Sequence, residues 1–392
     1  MRFPEFDGEW EKVTLSKVVT RITRKNKNNE SRLPLTISAQ YGLVDQISFF
    51  NKVVASADMS NYYLLKEGEF AYNKSYSSEY PWGAIKRLDR YPKGALSSLY
   101  ICFGINDNID SDFIMHYFES SKWHREVSNI AGEGARNHGL LNIAVGDFFN
   151  TAHYIPSDNK EQQKIAALIN LITVRIDTQI KIIEKLESLI RGIVQAHYSQ
   201  CDCIKQVRFS ELGESFTTMN ISKEDLSDDG NECILYGELF TTYGCVINDI
   251  KSKTHISTDK ATISQSNDLL FPASTTVDAM SLIAPSAICK VGVILGGDLF
   301  GIHVNKNYNN EYLSYLINYI YKSKLARYAQ GSTIIHLHHS DIKNAMLLLP
   351  AIEEQNYLAH LMKGMEEKIE IEKDMLSKFY RQKAYLLSKL FI

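Results

Sequence analysis

Three histidines within four residues, His336, His338 and His339, form the densest group of side chains able to hold a metal or move a proton. On an extended segment, alternation puts 336 and 338 on one side. No cysteine or carboxylate stands beside them at a convincing ligand spacing, so no metal is expected there. Asp158-Asn159-Lys160 resembles a fragment of a nuclease metal site, but it lies at a helix opening, where an acidic residue complements the helix dipole. Two other chemistries fail on missing parts. None of the eight prolines adjoins another, which removes the paired-proline loop that holds a flipped adenine for methylation. No Gly-Lys dipeptide occurs, which removes the phosphate-wrapping loop of a nucleotide-driven motor. Glycines 292, 296 and 297 make no dinucleotide fingerprint and mark strand ends instead. No catalytic residue and no cofactor are expected.

The remaining polar chemistry suits phosphates and base edges. From Arg21 to Arg32 the chain carries five cations, Arg21, Arg24, Lys25, Lys27 and Arg32, against the single acid Glu30, interleaved with asparagines that can bond phosphate oxygens or bases. A solvated loop would have the same composition. A second group is Asn73, Lys74, Ser75 and Tyr76, with Trp82, Lys86, Arg87 and Arg90 beyond it; Trp82 beside Pro81 also suits a turn packed on the core. Corresponding places in the second half are Thr217, Thr218, Asn220 and Lys223, then Lys251, Lys253 and His255, then Ser274, Thr275 and Thr276. With 43 Lys+Arg against 46 Asp+Glu, the chain has no overall basicity, so any grip on nucleic acid is local or shared with partners.

What positions these residues is a repeat. Pro156-Ser157-Asp158-Asn159-Lys160-Glu161-Gln162-Gln163 returns, one residue shorter, as Pro350-Ala351-Ile352-Glu353-Glu354-Gln355-Asn356; aligning Glu161 with Glu354 gives an offset of 193 (354 − 161). Upstream, Asp147-Phe148-Phe149-Asn150 pairs with Asp341-Ile342-Lys343-Asn344. A heptad follows each copy. In the first helix the seam runs through Ile169, Ile172, Ile176, Gln179, Ile183, Leu186 and Ile190; in the second, through Met362, Met365, Ile369, Glu372, Leu376 and Phe379. Both turn polar at the same layer, Gln179 and Glu372. Two matched heptad helices predict a mutual coiled coil.

The length fits two domains. The globular halves read as strand-rich. Leu64–Tyr72 suggests a turn feeding a strand, Leu99–Phe103 a strand, and Ser111 and Asp112 the cap of a helix carrying Phe113, Ile114, Tyr117 and Phe118. The second half offers a strand at Asp268–Ser274, one strand over Ala287–Leu295, and a helix carrying Tyr312, Leu313, Leu316 and Ile317. The expected segments are 1–157, 158–200, 201–350 and 351–392. Six cysteines without CxxC spacing fit reduced thiols, and neither a leader nor a membrane-length apolar run is evident. A soluble cytoplasmic protein is expected.

Arg2-Phe3-Pro4-Glu5-Phe6 with Glu9-Trp10, the strand signature Tyr236-Gly237-Glu238-Leu239, the loop Gly331-Ser332-Thr333 and the two proline-to-Glu-Gln helix openings resemble type I restriction-modification specificity subunits along the whole chain. The resemblance implies an α+β protein with an internal pseudo-two-fold repeat. Two target recognition domains would each read one part of a split, asymmetric sequence in double-stranded DNA, joined by two long helices in an antiparallel coiled coil. It also implies two methyltransferase subunits that modify adenine and further motor-nuclease subunits for cleavage. Ser332 and Thr333 then become DNA-facing, as do Arg136 and Asn137 of Gly132-Glu133-Gly134-Ala135-Arg136-Asn137-His138. That segment departs from the simpler Gly-Ser-Thr pattern. A noncatalytic coiled-coil adaptor and a nuclease of unrecognised motif remain as rivals.

Overall fold

A computed structural model describes residues 2–132, 139–201 and 205–392. They form two compact units, one of residues 1–180 with 375–392, the other of 181–374. The expected segments follow the order of the chain, whereas packing cuts both long helices and gives each unit a piece of both. No described helix is long and apolar enough to cross a membrane.

The first unit is built on a four-stranded antiparallel sheet in the order Val19–Ile22, Ile101–Ile105, Phe70–Asn73, Ala84–Arg87. Both faces are covered, which is why its middle strands read as unbroken apolar runs. Phe70, Tyr72 and Phe103 enter one core with Trp10, Phe113 and Phe148. Ala71 and Cys102, pointing the other way, join Leu35, Leu43, Leu65 and Leu96. The stretch expected to be a turn and a strand is a strand, a turn and a strand, Tyr63–Lys66 and Phe70–Asn73. Leu99 lies outside the strand Ile101–Ile105, in the turn before it, and is exposed. The helix Ser111–Glu119 is capped by Asp110, one residue earlier than expected, whose side chain accepts the Phe113 amide at 2.8 Å.

The second unit repeats this sheet as Gly213–Thr217, Leu299–Val304, Asp268–Pro272, Ser286–Ile288, with Val246–Ile247 added in parallel at the edge. Gly68 and Asn267 stand at the same turn before the same strand, and both adopt positive φ, +81° and +68°. Glycine does this freely, and asparagine tolerates it better than most side chains. A second five-stranded sheet has the order Leu226–Ser227, Ser252–Thr254, Asn231–Leu235, Ile294–Gly296, Thr262–Ile263. The single strand expected over Ala287–Leu295 is therefore two, Ser286–Ile288 and Ile294–Gly296, in different sheets. Lys290 to Gly292 turn the chain between them, with Gly292 at φ +86°. Tyr236-Gly237-Glu238-Leu239 is not a strand but the start of the short helix Glu238–Thr241. The paired segments found upstream match too. The helices Val145–Phe149 and His339–Ile342 each lead to a strand, Ala152–Ile155 or Met346–Leu349, that pairs antiparallel with the first strand of its half.

The long helices are Asn159–Gln200 and Ile352–Leu390, each about 60 Å at 1.5 Å per residue. The expected seams are the inward faces. Ile169, Ile172, Ile176, Ile183, Ile190, Met362 and Ile369 are buried, Leu186, Met365, Leu376 and Phe379 half-buried, and the polar pair Gln179 and Glu372 buried as well. Within the first unit Ile165, Ile169 and Ile172 of one helix share a core with Leu386 and Leu390 of the other. Within the second, His197 lies 3.4 Å from Glu354. The start of each helix thus lies with the end of the other, and the coiled coil is antiparallel.

Candidate nucleic-acid interface

In the second unit the buried strand Asp268–Pro272 continues into Ser274–Thr275, which pairs antiparallel with Ile335–His336. Gln330 closes a hairpin over the intervening residues: its amide donates to the His336 carbonyl at 2.9 Å, and the His336 amide donates back at 2.7 Å. Gly331 has φ +115°, and a Cβ there would sit 2.1 Å from the Ile334 carbonyl oxygen, so the turn requires glycine. Ser332 and Thr333 are exposed at the tip. Beneath them Asp298, Gln330, Gly331, His336, His338 and Asp341 line an open cleft of about 580 Å³. The alternation expected of His336 and His338 holds, their rings lying 6.2 Å apart and nearly parallel. His339 turns inward against Phe209. No cluster of three metal-binding side chains exists among the described residues.

The first unit has the same device. Its strand Phe70–Asn73 continues to Ser75, which bridges Leu140; the Leu141 amide donates to the Lys74 carbonyl at 2.9 Å and the Tyr76 amide to that of Gly139 at 3.0 Å. Gly139 to Leu141 therefore stand beside this strand extension as Ile335 and His336 stand beside Ser274–Thr275. Arg136 and Asn137 lie outside the described residues.

The structure sorts the remaining residues. Arg21, Lys27 and Lys253 are exposed with no ion pair among the described residues, and Asn220 is exposed too. Arg24 instead grips Glu69 at 2.6 Å and the Leu64 carbonyl at 3.0 Å. Lys25 donates to the Asn61 carbonyl and lies over the Tyr63 ring. Arg87 is the clearest correction. Its side chain is 14% exposed and bonds Asp89 at 2.6 Å and Asp112 at 2.7 Å, so it ties a strand to a helix instead of facing solvent. Thr218 is also structural, its hydroxyl donating to the Gly297 and Leu299 carbonyls. Ser274 is buried in its strand, and the Thr275 hydroxyl accepts the Val277 amide. Asn73 accepts the Ser75 amide, Lys74 reaches the Ile143 carbonyl, Lys223 sits in an acidic turn with Glu224 and Asp225, and Lys251 pairs with Asp249. Ser75 and Tyr76 are exposed.

Sequence reasoning found the repeated Glu-Gln but not its work. Gln162 accepts the Asp110 amide at 2.9 Å and donates to the Pro156 carbonyl at 2.8 Å. Gln355 accepts the Asn309 amide at 3.0 Å and donates to the Pro350 carbonyl at 2.9 Å. Asp110 and Asn309 are the caps of equivalent helices. The Glu-Gln repeated after each proline, with the glutamine six residues on in one copy and five in the other, was the available signal. The opening motif has a similar use: Arg2 forms a two-pronged pair with Glu161 at 2.7 Å, and the Trp10 indole donates to the same carboxylate at 3.2 Å.

Residues 204–378 match the family described as "Type I restriction modification DNA specificity domain". That segment is a type I restriction-modification DNA specificity domain. The fold agrees along its length. The S subunit of a type I system from M. genitalium aligns over 100% of this chain and 99% of its own at a TM-score of 0.57 and 13% identity. A chain from work on complex assembly and conformational transition of the type I R-M system aligns over 99% and 98%, at 0.59 and again 13% identity. The two strand extensions, at Ser75 and at Ser274–Thr275, stand at equivalent points of duplicated sheets, where exposed side chains can vary without disturbing either core.

Proposed function

We propose that the chain reads a split, asymmetric DNA target, with residues 1–157 reading one part and 201–350 the other, and that the helices 158–200 and 351–392 space the two readers. The observation that carries this reading is the duplication of a whole reading device: one sheet order, one paired strand extension and one glutamine tether, each present twice. The chain has no active site of its own and chooses where partners act. Two methyltransferase subunits dock on the scaffold to modify adenine, and restriction subunits join them for cleavage. The near-even charge supports shared binding, because a protein that held duplex DNA alone would carry more cations than its 43 against 46 acids. A cytoplasmic location follows from the same assignment.

The test is a footprint at physiological salt. The chain alone retards DNA weakly, and the assembly with its methyltransferase subunits protects two separated segments of one sequence. Tight sequence-specific binding by the isolated chain contradicts the shared grip. Magnesium-dependent cutting by the purified chain favours a nuclease, and an assembly without sequence preference favours a mere adaptor.

A further inference from the structure

The first reader holds a small cavity whose lining is cationic. A partly open space of about 190 Å³ lies between Arg21, Tyr63, Lys74 and the turn Ser98-Leu99-Tyr100, over Ile22, Ile101, Cys102 and Val145. No carboxylate belongs to this lining. Arg21 makes no hydrogen bond or ion pair with another described residue, and Lys74 reaches only the Ile143 carbonyl, at a long 3.4 Å. Burial, with Glu69 adding to it, pushes the Cys102 thiol up to about 12, so the cavity floor is uncharged at neutral pH. Two cations therefore face one space without a counter-charge. Its volume is below the roughly 300–1,000 Å³ of pockets that enclose a cofactor, and suits one small anion.

The sheet itself does not require these cations. Arg21 is paired across its strand with Phe103, which pairs with Phe70. The same two steps in the second unit run from Ser215 to Ile302 to Leu269. Lys74 lies four residues beyond Phe70; four beyond Leu269 is Ala273. The second reader thus carries serine and alanine where the first carries arginine and lysine, in an equivalent sheet. Burying or clustering like charges is unfavourable unless something offsets it, so the pair points to a ligand.

We propose that this cavity seats one backbone phosphate of the DNA, held between the Arg21 guanidinium and the Lys74 ammonium. The contact fixes the register of the first reader on the duplex and carries no base information. The proposal rests on the reading of the chain as a DNA specificity subunit.

The experiment uses the full chain assembled with its methyltransferase subunits, and measures affinity against salt for target and non-target duplexes. Arg21→Ser and Lys74→Ala, the residues the equivalent sheet already accommodates, each weaken both duplexes alike. Combined, they make the slope of log K against log salt less negative by about 0.9, the value for one phosphate, while thermal midpoint and methylated sequence stay unchanged. Arg21→Lys keeps the slope. Folded variants with an unchanged slope overturn the proposal, as does loss confined to the target or a changed base in the methylated sequence. Inorganic phosphate titrated into the chain separates the other source of the same chemistry: binding abolished by Arg21→Ser with the DNA slope intact means a free-phosphate site and also overturns it. An assembly that binds no DNA with the unaltered chain refutes the specificity reading instead.

Discussion

The side chain of Gln162 is bonded to the backbone N–H of Asp110 at 2.9 Å, so the opening of the first long helix is fastened to the cap of the helix Ser111–Glu119. Gln355 does the same to Asn309 at 3.0 Å. The glutamines are 2% and 1% exposed, and each also holds the carbonyl of the proline before its helix.

Replacing either glutamine by leucine strands a half-buried N–H and a buried carbonyl, and destabilises its own unit by about 1–3 kcal/mol. Thermal or denaturant unfolding of the two single variants should give similar losses. A neutral result at either position contradicts the tether.

Stability should depend on pH with opposite signs at two carboxylates. Burial pushes Glu119 up, but the His116 hydrogen bond, Lys383 and Lys86 together pull it down to about 2 from 4.5. Its folded pKa is depressed, so its contribution is full above pH 4.5 and is lost as pH falls toward 2. Burial pushes Glu366 up to about 7, with Glu311 adding to it and the Tyr315 hydroxyl opposing. Here the folded state binds the extra proton, so stability declines as pH rises from 4.5 to about 7 and then levels. Unfolding midpoints of Glu119→Gln and Glu366→Gln against the parent between pH 3 and 8 give the check: the first variant loses its deficit in acid, the second gains its advantage toward neutrality. Parallel curves contradict both assignments.

Arg87→Ala should reduce stability by about 1–2 kcal/mol, the modest end for charge-assisted bonds, because Asp89 and Asp112 are themselves half in solvent. DNA affinity of the folded assembly should keep its salt slope. A slope change there would place Arg87 at the interface after all.

What the sequence revealed depended on how local the signal was. The helical seams, Gln179 and Glu372 included, were readable because a heptad is written in one segment. The hairpin at Gly331 was readable as a motif. By contrast Arg24 and Glu69 stand 45 apart and Arg87 and Asp112 25 apart, so a local count of cations could not tell a free charge from a paired one. The apolar run at 287–295 could not disclose that the chain leaves one sheet at Ile288 and enters another at Ile294, because an inward side chain looks alike in both. Thr218 was misread for a related reason: a hydroxyl able to bond a base can equally bond the carbonyls of Gly297 and Leu299.

Inserting seven residues in each long helix at the Gln179 and Glu372 layer keeps the apolar seam continuous and adds about 10 Å of helix. The unspecified spacer of the methylated target should lengthen by about three base pairs at 3.4 Å each, with both flanking sequences unchanged. An active, folded insertion with the original spacer would show that these helices do not set the distance.

The most direct measurement is to replace residues 1–157 by the first reader of a specificity subunit with a different target, assemble the chimaera with its methyltransferase subunits, and sequence the methylated sites. The account predicts that one part of the split target changes while the other part and the spacer length stay as they were. Changed bases in both parts, or in neither with methylation intact, would contradict two independent readers on one scaffold.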